Sequence, residues 1–213
     1  MRVISGKYKR RTFEVPRNFK ARPTTDFAKE NLFNVLNNLI DLEECANVLD
    51  LFAGTGGISL EFVSRGCGRV ISVERETLHH THIYKVTEQL KEDNWIPLRA
   101  DVFRYIEKCH DTFDLLFADP PYALTRLAEL PDLILNKGMV APEGMLILEH
   151  GKDHSFAEHP CFVQERIYGS VHFSFFEPRK PSDAVNNQGR PSGAPLFSFT
   201  SNRFIASAHS SAR

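Results

Sequence analysis

A glycine-rich turn constrains the fold of this chain more than any other stretch. Residues 47–59 read NVLDLFAGTGGIS, an apolar run followed by glycines and then by a segment with helical periodicity. A strand, a glycine turn and a helix in that order form the ligand crevice at the carboxyl end of the first strand of an open α/β sheet. The glycines allow positive φ and close approach of a ligand, and the helix directs unpaired N–H groups to the same place. The sequence therefore predicts a nucleotide-like ligand at this turn.

Strand and helix patterns alternate along the chain from residue 24 to about residue 178. Thr24, Thr25 and Asp26 can cap a helix that precedes the glycine turn. Short apolar runs then predict strands at residues 69–74, 95–101, 114–119, 144–149, 161–167 and 171–176. The last two runs flank Tyr168-Gly169-Ser170 and predict a hairpin. The pattern therefore predicts a doubly wound α/β fold with a mostly parallel, seven-stranded sheet and a terminal antiparallel hairpin.

Positive charge is concentrated at the N-terminus, although the whole chain has a formal net charge of −1. Residues 1–30 carry nine Lys and Arg against three acids, and a turn at Gly6 between short apolar runs predicts a basic β-hairpin arm. Basic side chains around an aromatic one suit a phosphate backbone and an unstacked base. A solvated arm without a partner, with Tyr8 as an ordinary hairpin residue, is the alternative. The residues predicted to bind RNA are Lys7, Tyr8, Lys9, Arg10, Arg11 and Arg22.

Composition divides the chain into three parts and excludes several classes of protein. The parts are the basic arm at residues 1–23, the α/β domain at 24–178 and a Pro-, Gly- and Ser-rich tail at 179–213 that is predicted to be disordered. No apolar run approaches the ~18 residues of a membrane span, and the first residues lack the apolar region of a signal peptide, so a cytoplasmic location is expected. Four widely spaced cysteines predict reduced thiols rather than a disulfide framework. His79, His80 and His82 lack further ligands at metal spacing, so no metal is expected.

Acidic residues lie in or just after several of the predicted strands. Asp50 precedes the glycines, Glu74 follows Gly54 by twenty residues, and Asp101 closes the next strand. An acid at the position of Glu74 can accept both hydroxyls of a ribose. A dinucleotide dehydrogenase fits less well because Ser59 replaces the third glycine of its fingerprint, and no Lys-Ser/Thr pair forms a phosphate-binding loop. An acidic pocket suits a sulfonium, an amino-acid end and an adenosine, which together indicate S-adenosylmethionine.

The sequence Asp119-Pro120-Pro121-Tyr122 after the fourth strand indicates the group that is modified. Two prolines remove two N–H donors, so the local backbone presents only carbonyl acceptors. Those carbonyls and the Asp119 carboxylate can accept from both hydrogens of an exocyclic amine, which directs the nitrogen lone pair at a methyl carbon. Tyr122 offers a face on which a planar base can stack, and in-line positioning supplies much of the rate enhancement. A tight turn with a packed tyrosine is the structural alternative.

These residues resemble two motifs of class I, Rossmann-like amino-methyltransferases. Residues 50–56 (DLFAGTG) resemble motif I, and residues 119–122 (DPPY) resemble motif IV, which many N6-adenine enzymes share. Residues 4–11 (ISGKYKRR), 22–26 (RPTTD) and 30–34 (ENLFN) are similar to the bacterial 16S rRNA guanine-N2 methyltransferase D family, and this arm narrows the choice. The resemblance extends from residue 1 to about residue 178. Family members commonly end near the terminal hairpin, so the tail departs from the pattern.

The resemblance implies methylation of the N2 amine of one guanine, conventionally numbered 966, in 16S rRNA. The expected partner is the 30S subunit or a late assembly intermediate, and a monomeric protein is expected. Asp119, Pro120 and Tyr122 would be catalytic. The residues expected to bind S-adenosylmethionine are Asp50, Phe52, Ala53, Gly54, Thr55, Gly56, Glu74, Asp101 and Asp119. An N6-adenine nucleic-acid methyltransferase remains an alternative, as does a non-catalytic RNA-binding assembly factor on a methyltransferase scaffold, although the intact glycines and acids argue against the latter.

Overall fold

The computed structural model describes residues 1–16, 19 and 25–179. Seven strands form one sheet: β1 (Asn47–Leu51), β2 (Arg69–Glu74), β3 (Trp95–Arg99), β4 (Phe113–Ala118), β5 (Val140–His150), β6 (Phe162–Tyr168) and β7 (Val171–Phe176). The helices are α1 (Asp26–Leu39), α2 (Gly57–Ser64), α3 (Thr77–Leu90), α4 (Val102–Lys108) and α5 (Leu130–Asn136), with short 3₁₀ helices at Leu42–Glu44 and Leu127–Glu129. The predicted α/β class and seven-stranded sheet are confirmed.

The strand order places a ligand crevice beside the glycine turn. The sheet runs β3-β2-β1-β4-β5-β7-β6, with the first five strands parallel and β7 and β6 antiparallel. The chain starts at β1 in the middle, moves outward to β3, and returns to the other side of β1 as β4. Ligands of such sheets bind beyond the carboxyl ends of the strands where the order reverses. Here that point lies between the ends of β1 and β4.

Both faces of the sheet carry a hydrophobic core. Val48 of β1 packs in one buried cluster with residues of α1, α2 and α3, whereas Leu49 packs in the other with residues of α4 and α5. Burial on both faces is typical of parallel strands, and it explains why their sequences read as nearly continuous apolar runs. None of the described helices is long and apolar enough to cross a membrane.

The N-terminal segment forms a short hairpin that packs on the sheet domain. The Val3 N–H donates to the Arg11 carbonyl at 2.9 Å, the Arg10 N–H donates to the Val3 carbonyl at 2.9 Å, and the Phe13 N–H donates to the Met1 carbonyl at 2.8 Å. One β-bridge, between Arg2 and Thr12, joins the two sides. Val3 and Phe13 are buried in the same cluster as α1 and α2. The hairpin arm is therefore present but short. The boundary after residue 23 and nearly all of the predicted tail lie outside the described residues, so the three-part division stays a prediction.

Several element bounds differ from those predicted, for local reasons. β3 ends at Arg99 because Asp101 is the N-cap of α4 and its side chain accepts from the Arg104 N–H. Between β4 and β5 a 3₁₀ turn is followed by α5, whose second residue is Pro131. The Thr25 side chain accepts from the Ala28 N–H and caps α1 as predicted, and Phe27 in the first turn of this helix is 65% exposed.

Candidate active site

The glycine turn between β1 and α2 has an unusual backbone. Phe52, Gly54 and Gly56 all have positive φ, at 63°, 53° and 75°, and Gly56 is the N-cap of α2. Glycine adopts this conformation at no steric cost. A bulky residue does so at a cost and such residues concentrate at ligand sites, so Phe52 marks the turn as a site under constraint.

Asp50 lies beneath the turn and not on its surface. The residue is 1% exposed, and Oδ2 accepts from the Ser59 N–H at 3.1 Å and from the Ser59 hydroxyl. Ser72 donates to the Ser59 oxygen at 2.6 Å, and Trp95 Nε1–H donates to Ser72 at 2.7 Å. This chain of hydrogen bonds joins four elements and anchors the first turn of α2, as a side-chain cap would. Burial, with the nearby Asp119 and Glu74 carboxylates as smaller causes, raises the pKa of Asp50 to about 7, against the hydrogen bonds from Ser59.

Glu74, at the end of β2, holds the other side of the turn. Its carboxylate accepts from the Gly54 N–H at 2.8 Å through Oε2 and from the Glu76 N–H at 2.7 Å through Oε1. His79 Nδ1 lies 3.8 Å from Oε1. The predicted spacing of twenty residues between Gly54 and Glu74 thus corresponds to a direct contact between them.

The remaining predicted cofactor residues lie around this turn. Ala53 and Thr55 are mostly buried, and the Ala53 N–H donates to the Val73 carbonyl at 3.1 Å. Asp101 is the N-cap of α4 and is partly exposed, and its Oδ1 accepts from the Arg104 N–H at 3.2 Å. The structure thus places Asp50 beneath the turn, Glu74 in contact with the turn at the Gly54 N–H, and Asp101 at the start of the helix that follows β3.

The Asp-Pro-Pro-Tyr sequence lies at the end of β4, beside the end of β1. The Asp119 N–H donates to the Leu51 carbonyl at 3.3 Å, and Pro120 is buried. Tyr122 is 47% exposed, and its O–H donates to Glu149 Oε1 at 3.2 Å. A Cβ atom placed on Gly151 would lie 3.3 Å from Tyr122 Cδ2, so the ring packs directly on the Gly151 backbone. One part of the ring is supported by the protein and another part is open to solvent.

Glu149 is a site residue to which the sequence pattern assigned no role. It lies near the end of β5 and is only 5% exposed. Its Oε2 atom has no hydrogen-bond partner among the described residues. The β4–β5 register pairs Ala118 with Leu148, which places Asp119 next to Glu149. Burial, and then the charge of Asp119, raise the pKa of Glu149 to about 9, against the hydrogen bond from Tyr122. The only sequence signal was a buried strand that ends on an acid.

The predicted RNA-binding residues divide into two groups. Lys7 Nζ lies 2.6 Å from Glu92 Oε1, and the Tyr8 O–H also donates to Glu92. Their backbones are fixed as well, because the Lys7 N–H donates to the Ser64 carbonyl at 2.7 Å and the Tyr8 N–H to Ser64 Oγ at 3.0 Å. Lys7 and Tyr8 therefore dock the arm on the domain. The second group is Lys9, Arg10 and Arg11, which are exposed, as Lys7 also is, while Arg22 lies outside the described residues.

A second polar cluster lies on β5, β6 and β7. Glu165 Oε1 is 3.1 Å from His172 Nδ1 and 3.6 Å from His150 Nε2, and the Ser174 hydroxyl is 2.8 Å from the same nitrogen of His150. The β5–β7 register pairs His150 with His172. Because these ring nitrogens already contact oxygen partners, we interpret the cluster as a hydrogen-bonded network of the sheet.

The groups at the crevice fit S-adenosylmethionine. The turn offers positive-φ glycines and the start of α2, and the surrounding acceptors are carboxylates at Glu74, Asp101 and Asp119. Carboxylates match a sulfonium, an ammonium and ribose hydroxyls, whereas a pyrophosphate would be repelled by them. These acceptor groups are therefore the ones expected in a site that binds a cationic nucleoside.

Comparisons with known proteins agree with this geometry. The family described as "Conserved hypothetical protein 95" matches residues 1–177. The chain is 28% identical to ribosomal RNA small subunit methyltransferase D of Escherichia coli K12 over 180 residues, covering 83% of this chain and 89% of that protein. It is 34% identical to YlbH of Bacillus subtilis over 166 residues, covering 74% and 86%. The solved structure of yhhF from Escherichia coli superposes with a TM-score of 0.72 at 26% identity, covering 84% of this chain and 99% of that one.

Proposed function

The chain belongs to the family described as "Conserved hypothetical protein 95", together with ribosomal RNA small subunit methyltransferase D, and we propose that it methylates the N2 amine of guanine 966 in 16S rRNA. It is a methyltransferase of rRNA with a Rossmann-like fold, and S-adenosylmethionine is its cofactor. The proposal adds the base, the atom and the position to that assignment. It also adds the 30S subunit, or a late assembly intermediate, as the substrate particle and a monomeric enzyme.

The observation that supports the proposal best is the position of Asp119 and Tyr122 beside the glycine turn. The backbone hydrogen bond from Asp119 to Leu51 ties the end of β4 to the strand that leads into the turn. An amine held by Asp119 therefore faces the part of the crevice at which the cofactor binds. Tyr122 is nearly half exposed next to it, which leaves ring surface for a base.

The residues of this chain act on the base by binding and orientation. The Asp119 carboxylate and the Pro120 carbonyl accept from the two hydrogens of the amine, so the nitrogen lone pair turns away from the ring system and toward the crevice. Bound S-adenosylmethionine supplies the methyl group on a sulfonium, which is a good leaving group. After transfer the methylated amine is acidic, and the Asp119 carboxylate can accept the proton that it releases. Positioning of this kind accounts for a large part of enzymatic rate enhancement.

The target base must leave its stack to reach Asp119. Enzymes that modify a base pay this cost with stacking on aromatic side chains and with contacts to the backbone. Tyr122 provides the stacking surface in the proposal. Lys9, Arg10 and Arg11 provide the backbone contacts, because they are exposed on the arm while Lys7 and Tyr8 are bound to Glu92.

Mass mapping of 16S rRNA from a deletion strain tests the base and the atom. We expect the loss of one N2-methylguanine, which is restored by the wild-type gene. Loss of a methyladenine with all methylguanines unchanged would assign the N6-adenine activity instead, and unchanged rRNA would favour the non-catalytic assembly factor.

Asp119→Ala tests the role of the carboxylate. We expect the variant to fail to restore the methylguanine while it still binds S-adenosylmethionine in calorimetry, because Asp119 acts on the amine. Asp93→Ala, at an exposed position just before the start of β3 and so at the sheet edge opposite the crevice, is the matched control and should restore methylation. Full methylation by Asp119→Ala would contradict the proposed orientation of the amine.

A further inference from the structure

We propose that Glu149 is a positioning residue of this active site: its carboxyl group holds the Tyr122 ring in place for the target base. The inference rests on the proposed function, because it explains how the stacking surface is fixed. Glu149 does not touch the base in this account. It acts through Tyr122.

Two contacts fix the Tyr122 ring, and both come from the end of β5. The Tyr122 O–H donates to Glu149 Oε1 at 3.2 Å, and the ring packs on the Gly151 backbone, where an added Cβ would lie 3.3 Å from Cδ2. The side chain is 47% exposed, so part of the ring faces solvent. An exposed tyrosine that is held at two points loses less freedom when a base stacks on it, so the binding cost falls.

The uncharged state of Glu149 follows from its surroundings. The side chain is 5% exposed, and Oε2 has no hydrogen-bond partner among the described residues. A buried carboxylate oxygen without a partner is costly, and protonation lowers that cost because it removes the charge. The groups that face Glu149 are Asp119, beside it on β4, and the Tyr122 hydroxyl, while its pairing partner on β7 is the apolar Phe173. Two adjacent carboxyl groups avoid ionising together, so a neutral Glu149 leaves Asp119 as the charged member of the pair.

A first experiment compares Glu149→Leu, Glu149→Gln and Tyr122→Phe in methyl transfer to 30S subunits at pH 7.5. Glu149→Leu removes the acceptor, and we expect kcat/KM to fall by roughly three- to tenfold, the effect of one neutral hydrogen bond. Glu149→Gln keeps an uncharged acceptor and should recover most of that loss. The affinity for S-adenosylmethionine should stay the same in all variants, and Glu158→Gln, at an exposed position, should match the wild type.

A double-mutant cycle separates this role from a general loss of structure. Tyr122→Phe and Glu149→Leu remove the same hydrogen bond, so the double variant should lose no more than the more impaired single variant. Additive losses would overturn the proposal. Loss in Glu149→Gln as large as that in Glu149→Leu would also overturn it, because a charged carboxylate would then be required.

A second experiment needs no substrate and stays informative if Glu149→Leu does not fold or if the proposed function is wrong. A proton held on Glu149 in the folded state and released in the unfolded state makes stability fall as pH rises from about 5 to about 9. We therefore expect the Tm of Glu149→Gln to exceed that of the wild type by a margin that widens from pH 6 to pH 9. Glu158→Gln should show no such margin. A constant margin for Glu149→Gln would show that Glu149 is charged at neutral pH and would refute the proposal, whereas a wild-type enzyme that leaves 30S subunits unmethylated would refute only the proposed function.

Discussion

Gly56→Ala is a substitution in the glycine turn for which the structure predicts a clear loss of stability. Gly56 has φ of +75°, and a Cβ atom there would lie 2.9 Å from Ile83 Cγ1 and 3.1 Å from Trp95 Cζ2. Ile83 and Trp95 are both buried, so neither side chain can turn out into solvent. Trp95 is further held by its hydrogen bond to Ser72, which belongs to the chain that ends on Asp50. Alanine at this position is therefore both strained and crowded.

The two contributions can be separated by a matched glycine. Gly138 has φ of +73°, and an added Cβ would meet nothing within 4 Å. Gly138→Ala therefore costs the left-handed conformation alone, about 1–2 kcal/mol. Gly56→Ala adds the crowding of a packed interior, about 1–3 kcal/mol. The expected loss of unfolding free energy is then about 2–5 kcal/mol at Gly56, as the sum of the two terms.

Urea unfolding followed by tryptophan fluorescence measures this difference directly. Trp95 is the single tryptophan of the chain, and it is also one of the two side chains that the new methyl group would contact. Calorimetry should in addition show weaker binding of S-adenosylmethionine by Gly56→Ala and unchanged binding by Gly138→Ala, because only Gly56 belongs to the turn. Equal losses of stability in the two variants would refute the reasoning, because they would show that the Ile83 and Trp95 side chains move aside without a loss of unfolding free energy.

Three further predictions concern the arm and the buried acid. In Gly6→Ala the new Cβ would lie 1.8 Å from the Ser64 carbonyl oxygen, so the arm must move away from α2. We expect weaker RNA binding in a filter assay, with unchanged affinity for the cofactor. Unchanged RNA affinity would show that the docked arm is not part of the RNA interface. Reversal of charge at Lys9, Arg10 and Arg11 should weaken RNA binding and lower the slope of log K against log salt by about 2–3 if each contacts a phosphate; an unaltered slope would contradict the basic-arm hypothesis. Burial raises the pKa of Asp50 to about 7, so the folded state keeps a proton that the unfolded state releases, and this contribution to stability falls as pH rises from about 4 to about 7. Asp50→Asn should remove that pH dependence. The difference in unfolding free energy between this variant and the wild type should therefore change by a few kcal/mol between about pH 4 and about pH 7, at about 1.4 kcal/mol per pH unit. If unfolding free energy plotted against pH gives parallel curves for the two proteins, Asp50 is charged over the whole range.

The sequence was sufficient for the fold because its signals are local. Each parallel strand reads as an apolar run between turns, and burial on both faces of the sheet produces that pattern without reference to distant residues. The meeting of the candidate residues at one edge could be predicted for the same reason. Strand ends of a parallel sheet meet at one edge, so residues that follow β1, β2 and β4 were expected to converge there, and the hydrogen bond between Glu74 and the Gly54 N–H shows that two of them do.

The roles of individual acids could not be predicted, because they depend on partners far away in the chain. Asp50 was expected to face the ligand, but it lies within β1 and points at Ser59 beneath the turn. Tyr8 was expected to be available to a base, but it binds Glu92, which is 84 residues away in sequence. Glu149 ends a buried run like the other acids, and only the register of β4 against β5 shows that it lies beside Asp119. None of these contacts can be predicted from the spacing of the residues along the chain.

Helix α2 connects the two halves of the proposed activity. Its first turn is held by Asp50 and begins at the glycine turn, whereas Ser64 at its last residue holds the backbone of Lys7 and Tyr8. Glu61, fully buried in the same helix, also accepts from the backbone N–H of Ile4 at 2.5 Å. Eight helical residues span about 12 Å, so the exposed basic residues of the arm are fixed at a set distance from the cofactor crevice. If the arm binds RNA as proposed, this fixed distance would place the RNA relative to the methyl donor, even though the hairpin is short.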